Sequence, residues 1–237
     1  MNNAAEFDQF ADTYDSDLNQ ALSVSGENKD YFARARVEWL TKRLRRVGIN
    51  ARSAMDYGCG IGDTTVLVRE SLNLDRIVGL DVSSRSVELA GQKHGSAQCS
   101  FQTFDQYTPQ ANIDLVYCNG VFHHIPVAQR TASLRFIKDS LRPGGIFALW
   151  ENNPWNPGTR YVMSKCVFDR DAVAISPREG IELVQSQGFK VVRRDFLFFY
   201  PRILKILRFT EPWMNALPMG AQYLVLCQKP AASNNAG

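Results

Sequence analysis

The sequence predicts a doubly wound α/β fold, in which helices cover both faces of a mostly parallel β-sheet. Short apolar runs alternate with segments of helical periodicity from residue 53 to residue 151, and this alternation favours parallel strands joined by helices. The first run leads into a turn with three glycines at alternate positions, Gly58-Cys59-Gly60-Ile61-Gly62. In sheets of this kind the ligand lies at the carboxyl ends of the strands, where this turn is expected.

The predicted elements follow one another in a regular order. A mixed segment at 7–22 has apolar residues at helical spacing, and an amphipathic helix follows at 31–47. Predicted strands lie at 53–57, 76–81, 98–103, 113–118, 146–151, 190–199 and 222–228. Predicted helices begin at Asp63 or Thr64 and at Ser83, and two more cover 127–141 and 177–187. The helix at 127–141 is expected to end before Pro143-Gly144-Gly145.

The composition is that of an ordinary globular protein. The chain has 237 residues, of which 45% are hydrophobic and 22% charged, and its net charge of +3 is too small to indicate nucleic-acid binding. We find no signal-peptide pattern and no apolar run near the length of a membrane span. Five scattered cysteines without a C-x-x-C pair favour neither disulfides nor a zinc cluster. These observations predict a cytoplasmic protein.

The glycine turn predicts a ligand without a phosphate group. Its spacing is G-x-G-x-G, whereas dinucleotide-binding folds use G-x-G-x-x-G to receive a pyrophosphate at a helix N-terminus. Asp56 precedes the turn at the end of the first strand, where its charge would repel a phosphate and attract a cation or an amine. Glycine allows the ligand to approach the main chain closely.

Polar residues also follow the next three strands. Asp81 closes the second strand 21 positions after Gly60, and a carboxylate there can accept hydrogen bonds from both hydroxyls of a ribose. Phe104 and Asp105 follow the third strand and offer an aromatic face and an acceptor for a purine. Asn119 follows the fourth strand, next to the glycine turn in space.

Together these features resemble the class I S-adenosylmethionine-dependent methyltransferases, over residues 7–229. The matching stretches are Asp56-Tyr57-Gly58-Cys59-Gly60-Ile61-Gly62, Asp81, Ile113-Asp114-Leu115-Val116, His123-His124-Ile125 and Leu141-Arg142-Pro143-Gly144-Gly145. The resemblance implies a Rossmann-like, seven-stranded, mostly parallel sheet with an antiparallel last strand, preceded by N-terminal lid helices. It also implies S-adenosyl-L-methionine as the cofactor.

The resemblance assigns roles to residues at the strand ends. The implied cofactor-binding residues are Tyr14, Asp56, Gly58, Gly60, Gly62, Asp81, Val82, Phe104, Asp105 and Asn119. In this family the glycine turn passes close to the amino-acid part of the cofactor, and Asp56 would lie near its amino group. Asp81 would bind the ribose, and Phe104 with Asp105 would meet the adenine. Tyr14 would close over the cofactor as part of a lid, unless its segment is simply a packed surface helix.

His123 and His124 invite two interpretations, a metal pair or a general base. Adjacent histidines on a loop cannot easily ligate one ion together, and the chain has only one other histidine, His94, so we predict no metal site. Methyl transfer is a displacement that chiefly needs alignment of the two reactants, and a base matters only if the acceptor must lose a proton. A structural role is the favoured interpretation, and His124 is the candidate base.

Two insertions are predicted to select the acceptor. In the first, at 152–176, Asn153, Trp155 and Arg160 offer amide, aromatic and cationic groups that suit a polar or sugar-like acceptor. An ordinary proline-rich crossover is the alternative. The second insertion, at 200–220, has a basic residue at every third position among apolar residues.

That pattern predicts a short basic amphipathic helix within 202–214. Such a helix would contact a membrane surface, a lipid-linked acceptor or a second subunit, or would simply cover the sheet edge.

The predicted function is methyl transfer to a small or lipid-linked acceptor through proximity and orientation. Two alternatives remain: an NAD(P)-dependent dehydrogenase, against which the glycine spacing and Asp56 argue, and a non-catalytic partner protein that retains the fold. One domain is expected over 1–237, with a lid segment at 7–47, a cofactor half at 51–151 and an acceptor half at 152–230. The acceptor atom and the oligomeric state are not predicted.

Overall fold

The computed structural model of the chain describes residues 14–166, 169 and 172–231. Residues 7–13 of the predicted lid lie outside this range, as does the side chain of Tyr14. The lid function of this segment therefore stays a prediction.

Seven strands form one sheet in the order β3-β2-β1-β4-β5-β7-β6. The strands are β1 Ser53–Tyr57, β2 Arg76–Asp81, β3 Cys99–Thr103, β4 Ile113–Asn119, β5 Leu141–Asn152, β6 Lys190–Leu197 and β7 Gln222–Gln228. The strands β1 to β5 pair in parallel, whereas β7 runs antiparallel to both of its neighbours. The predicted fold class, including the antiparallel last strand, is confirmed.

Helices connect most of the strands. They are α1 Tyr14–Leu22, α2 Lys29–Arg46, α3 Asp63–Leu72, α4 Ser84–His94, α5 Val127–Ser140, α6 Pro157–Lys165, α7 Pro177–Ser186 and α8 Glu211–Met214, with a 3₁₀ helix at Arg202–Thr210 before α8. No helix in the described part of the chain is long and apolar enough to span a membrane.

Two elements differ from the sequence prediction. The strand β5 begins at Leu141 and not at residue 146, because its first residues pair with β4 and with the end of the chain: Leu141 lies opposite Ile113, and the N–H of Gly144 donates to the carbonyl of Lys229 at 3.0 Å. The helix α6 was not predicted. Its first turn begins with Pro157 and is capped by the side chain of Asn156, a combination that favours helix initiation.

Apolar side chains fill both faces of the sheet. On one face Leu134 of α5 and Val184 of α7 are fully buried, and on the other face Val37 of α2 and Val68 of α3 are fully buried. These four helices therefore bury apolar residues against the sheet, as the doubly wound fold requires. The carboxyl ends of the strands remain open at one edge.

The strand β6 also ends at this edge. Asn152 at the end of β5 and Leu197 at the end of β6 both pair with Gln222, the first residue of β7. The connection from β6 to β7 therefore leaves the sheet at the same edge as the glycine turn.

Candidate cofactor-binding site

A cavity of about 1450 Å³ opens at the carboxyl edge of the sheet. Its lining includes ten of the predicted site residues: Asp56, Gly58, Gly60, Gly62, Asp81, Val82, Phe104, Asp105, Asn119 and His124. Ligand cavities commonly measure about 300–1,000 Å³, so this one has room for a cofactor together with a second molecule. The structure thus brings together residues that lie up to 68 positions apart in the sequence.

The glycine turn is held against the end of β2. The N–H groups of Gly58 and Cys59 both donate to the carbonyl of Leu80, at 2.7 and 3.0 Å, and that of Gly60 donates to Oδ2 of Asp81 at 2.8 Å. Gly60 has a φ of +53°, and a methyl group added to it would meet no atom within 4 Å. The main chain at Gly60 is therefore bare toward the cavity.

Asp56 lies beneath this turn with only 3% of its surface exposed. Burial raises the pKa of its carboxyl group to about 7, although the hydroxyl of Thr65 donates to it at 2.6 Å and opposes that shift. The nearby charge of Asp81 adds to the increase in pKa. A cation brought next to Asp56 would favour the ionised form and lower its pKa.

Asp81 and Asn119 present acceptor oxygens at the cavity. The two carboxylate oxygens of Asp81 accept from the N–H groups of Gly60 and Ser83, the latter at 3.0 Å. The Oδ1 atom of Asn119 is buried without a hydrogen-bond partner in the described structure. Buried polar atoms are nearly always paired, so this oxygen indicates a missing donor.

Arg36 on α2 is a cavity residue that the sequence analysis missed. Its Nη1 donates to Gln222 at 2.9 Å, while its Nε is buried without a hydrogen-bond partner among the described residues. The charges of Arg36 and Asp56 both act on the hydroxyl of Tyr117, which lies opposite Asp56 in the sheet. A guanidinium and a carboxylate thus face the same end of the cavity.

Lys29 and Asp63 were also missed, and they form part of the cavity wall. Burial by itself would raise the pKa of Asp63, but hydrogen bonds from Lys29, Lys93 and His94 hold it well below its usual range. The position of Asp63 directly after the glycine turn was the available sequence signal for it. No local pattern marked Lys29, because only the tertiary fold brings α2 to this edge.

Three further predicted residues, which follow β2 and β3, also line the cavity. The ring of Phe104 packs on Tyr57 and Phe136, with ring centroids 4.6 and 5.8 Å apart. Val82 and Asp105 are exposed at the cavity. Phe104 is thus fixed in position, while the acid beside it is solvated.

The two histidines have opposite electrostatic environments. Burial by itself would lower the pKa of His123, but Glu151, with Oε2 at 2.6 Å from Nδ1, and Asp169 more than offset this effect and raise it to about 10. Burial and the charge of His123 lower the pKa of His124 to about 4. At neutral pH His123 is therefore a buried cation, and His124 is an uncharged imidazole at the cavity wall.

The same cluster has a geometry that metal ions can use. Ligand atoms of His123, His124 and Asp169 all lie within 4.8 Å of one another, so the expectation that adjacent histidines cannot converge on one ion is wrong. The physical reason is that both Nε2 atoms approach one oxygen of Asp169, at 3.5 and 3.4 Å. Metal binding requires a neutral imidazole, and the bound proton of His123 competes with it. The absence of a metal stays a prediction.

The three predicted acceptor residues do not line the cavity. Asn153 is fully buried, and its Nδ2 donates to the carbonyls of Pro218 and Gly220 at 3.1 and 2.8 Å. Its predicted contact with an acceptor is therefore corrected: the side chain joins two loops. Trp155 and Arg160 are exposed on the outer surface beyond the cavity.

Comparisons with known proteins agree with this geometry. Residues 55–147 match the family model described as a methyltransferase domain. The chain is 30% identical over 119 residues to a trans-aconitate 2-methyltransferase of Azoarcus sp. (strain BH72), a match that covers 50% of this chain and 46% of that protein. The chain thus spans about half the length of this curated relative.

Two solved structures share the fold. A SAM-dependent methyltransferase from Archaeoglobus fulgidus superposes with a TM-score of 0.58 at 15% identity, covering 81% of this chain and 94% of that one. The [4+2]-cyclase SpnF superposes with a TM-score of 0.58 at 16% identity, covering 81% of each chain. The methyltransferase-domain match over residues 55–147, the sheet order and the motifs at the strand ends support a class I S-adenosylmethionine-dependent methyltransferase.

Proposed function

We propose that this chain transfers the methyl group of S-adenosylmethionine to a small or lipid-linked acceptor by direct displacement. The observation that carries the proposal is the cavity itself, where the bare main chain at Gly60 lies beside Asp56, Asp81 and the unpaired Oδ1 of Asn119. The donor has an ammonium group, a carboxylate and a ribose, and each has a chemically matched group in this lining.

The amino-acid end of the donor would be held by groups of both signs. Asp56 and the Oδ1 of Asn119 accept hydrogen bonds and suit the ammonium group, and Arg36 suits the carboxylate. Asp81 suits the two ribose hydroxyls, because its carboxylate is already oriented by two backbone N–H groups. These residues support a donor that lies across the glycine turn.

Catalysis would then come mainly from alignment. The bound sulfonium supplies an electrophilic methyl group, and the cavity holds the acceptor in line with it. His124 faces the cavity, but with a pKa of about 4 it is a weak base at neutral pH. An acceptor that needs little help in losing a proton fits this site best.

The size of the cavity and the curated relatives support a small acceptor. The name trans-aconitate 2-methyltransferase describes an enzyme with a small organic substrate. The described lining residues favour no single acceptor atom.

The cyclase SpnF supports a second candidate function. Because that protein shares the fold and its printed name describes a different reaction, the fold by itself does not establish methyl transfer. Two rival functions therefore stand beside methyl transfer. One is a protein that binds the cofactor without transferring its methyl group, and the other is a non-catalytic partner protein that retains the fold.

The test is methyl transfer from labelled S-adenosylmethionine to a panel of small acids, alcohols, amines and lipid-linked sugars. We expect labelled product with the wild-type chain and a large loss with Asp81→Asn. Asp139→Asn is the matched control, because Asp139 is exposed on α5 away from the cavity. Cofactor binding without product across the whole panel would favour these rival functions.

A further inference from the structure

The connection between β6 and β7 exposes a row of large apolar side chains. Ile203, Ile206 and Phe209 are 88%, 79% and 67% exposed. The 3₁₀ segment Arg202–Thr210 is kinked at Leu204, where the backbone angles are not helical. A 3₁₀ helix has three residues per turn, so Ile206 and Phe209 lie on one outward face after the kink, and Ile203 is exposed just before it. We call these three exposed side chains the outer ridge.

A second face of the same helix is basic and fixes the orientation of the outer ridge. Arg208 donates to Glu27 at 2.9 Å and lies over the ring of Tyr31 at 4.7 Å. Arg202 donates to the carbonyl of Gly26 at 3.3 Å. These contacts tie the helix to the turn between α1 and α2, so the apolar side chains are held outward by the fold.

The apolar surface continues beyond the helix. Trp213 on α8, Met219 and Trp155 are also more than half exposed. The loop that carries Trp155 adjoins Met219, because the side chain of Asn156 donates to the carbonyl of Met219 at 2.6 Å. We call the outer ridge with Trp155, Trp213 and Met219 the rim patch. Contiguous apolar surfaces of this kind mark interaction sites.

The rim patch lies next to the mouth of the cavity. The β6–β7 connection leaves the sheet at its carboxyl edge, where Leu197 and Asn152 end their strands. Glu27, which pairs with Arg208, is two residues before Lys29, a residue of the cavity wall. A surface that covered the rim patch would therefore face the cavity mouth.

The charges of the patch select its occupant. Among the residues 198–221 there are three basic side chains and one acid, Glu211, and Glu211 accepts the N–H of Tyr200 at 3.1 Å. Within the described chain no ion pair involves Lys205. A two-fold contact between two copies would place the same basic patch against itself, which disfavours self-association. An anionic surface complements the same charges.

The side chains of the rim patch also suit a lipid interface. Apolar residues on one face, Lys and Arg on the next and tryptophans at the border are the features of segments that lie in the headgroup region. We propose that the rim patch docks this protein on an anionic phospholipid bilayer, with the cavity mouth toward the headgroups. Access of the cavity to a lipid-borne acceptor rests on the proposed function, whereas docking does not.

The test is co-sedimentation of the full chain with phosphatidylcholine vesicles that contain or lack phosphatidylglycerol. We expect binding to the anionic vesicles, reduced about tenfold or more by Ile203→Asp with Ile206→Asp, since the two most exposed apolar side chains of the rim patch are lost. Val47→Asp is the matched control, because Val47 is exposed at the end of α2, before β1, at the opposite edge of the sheet.

A second pair of variants tests the charge contribution. Lys205→Glu should weaken binding to anionic vesicles and reduce the loss of the remaining binding with salt, while Lys190→Glu, at the start of β6, should leave binding unchanged. Thermal melting and S-adenosylhomocysteine titration of each variant show whether the fold and the cavity are intact.

Absent vesicle binding by the wild-type chain, or equal binding by the double variant, overturns the proposal. A wild-type dimer that the double variant converts to a monomer, without vesicle binding, assigns the patch to self-association and also overturns it. Vesicle binding without cofactor binding leaves the docking proposal standing and removes the proposed function.

Discussion

The glycine-turn side of the sheet edge and its β5–β6 side use their polar groups in opposite ways. Around the turn, Asp56, Asp81 and Asn119 present acceptor oxygens to the cavity, and one of these oxygens has no partner in the described structure. On the other side, the amide of Asn153 and the hydroxyl of Thr159 bond to the carbonyls of the loop before β7. The first side is built for a ligand, whereas the second is built to hold its own loops.

The largest expected effect is a difference in stability between alanine substitutions at two glycines of the turn, Gly58 and Gly60. A methyl group at Gly58 would clash with the side chain of Val121, whereas at Gly60 it would point into open space. Gly58→Ala should therefore destabilise the protein by several kcal/mol. Gly60→Ala should cost about 1–2 kcal/mol for its positive φ and should remove cofactor binding. Thermal melts and calorimetric titrations of both variants measure this difference, and equal destabilisation would contradict it.

A smaller loss of stability is expected from a substitution of Asn153, on the β5–β6 side of the sheet edge. Asn153→Ala leaves the carbonyl of buried Gly220 and that of Pro218 without the donor Nδ2, so it should lower the free energy of unfolding by about 1–3 kcal/mol. The affinity of the folded protein for the cofactor should stay unchanged. Asn112→Ala is the control, because Asn112 is exposed. Chemical denaturation provides the measurement, and an unaltered stability with a lost acceptor affinity would restore Asn153 as a binding residue.

The third prediction concerns His123 and pH. Because the pKa of His123 is raised from 6.5 to about 10 in the folded chain, its contribution to stability is fully present below about pH 6.5 and is lost as the pH rises toward 10. His123→Gln should remove this part of the pH dependence. Chemical denaturation of the wild-type chain and of His123→Gln, between about pH 6.5 and pH 10, measures this contribution. Parallel curves of stability against pH for the two proteins would contradict the prediction.

The smallest effect is expected at His124. Because its pKa of about 4 makes it a poor base, His124→Gln should slow methyl transfer by less than about tenfold. Single-turnover rates measure this effect. A loss of about 100-fold or more, with cofactor affinity intact, would show that the site depends on a base.

The sequence predicted the glycine-turn side of the sheet edge far better than the β5–β6 side. Glycine spacing and Asp81 are local patterns, so the turn could be recognised from the sequence, and the family resemblance then supplied most of the other predicted cavity residues. Arg36 and Lys29 could not be found in this way, because the packing of α2 determines where they point. Asn153 was misread since a buried amide and an exposed one look alike in a sequence.

The most direct test of the account is a comparison of two ligands, S-adenosylhomocysteine and 5′-methylthioadenosine, which lacks the amino-acid group. Calorimetric titration of the wild-type chain, Arg36→Gln and Asp81→Asn would measure each affinity. We predict that Asp81→Asn weakens both ligands, while Arg36→Gln weakens only S-adenosylhomocysteine, by about tenfold or more. Equal losses for both ligands in Arg36→Gln, or no binding by the wild-type chain, would contradict the proposed placement of the donor.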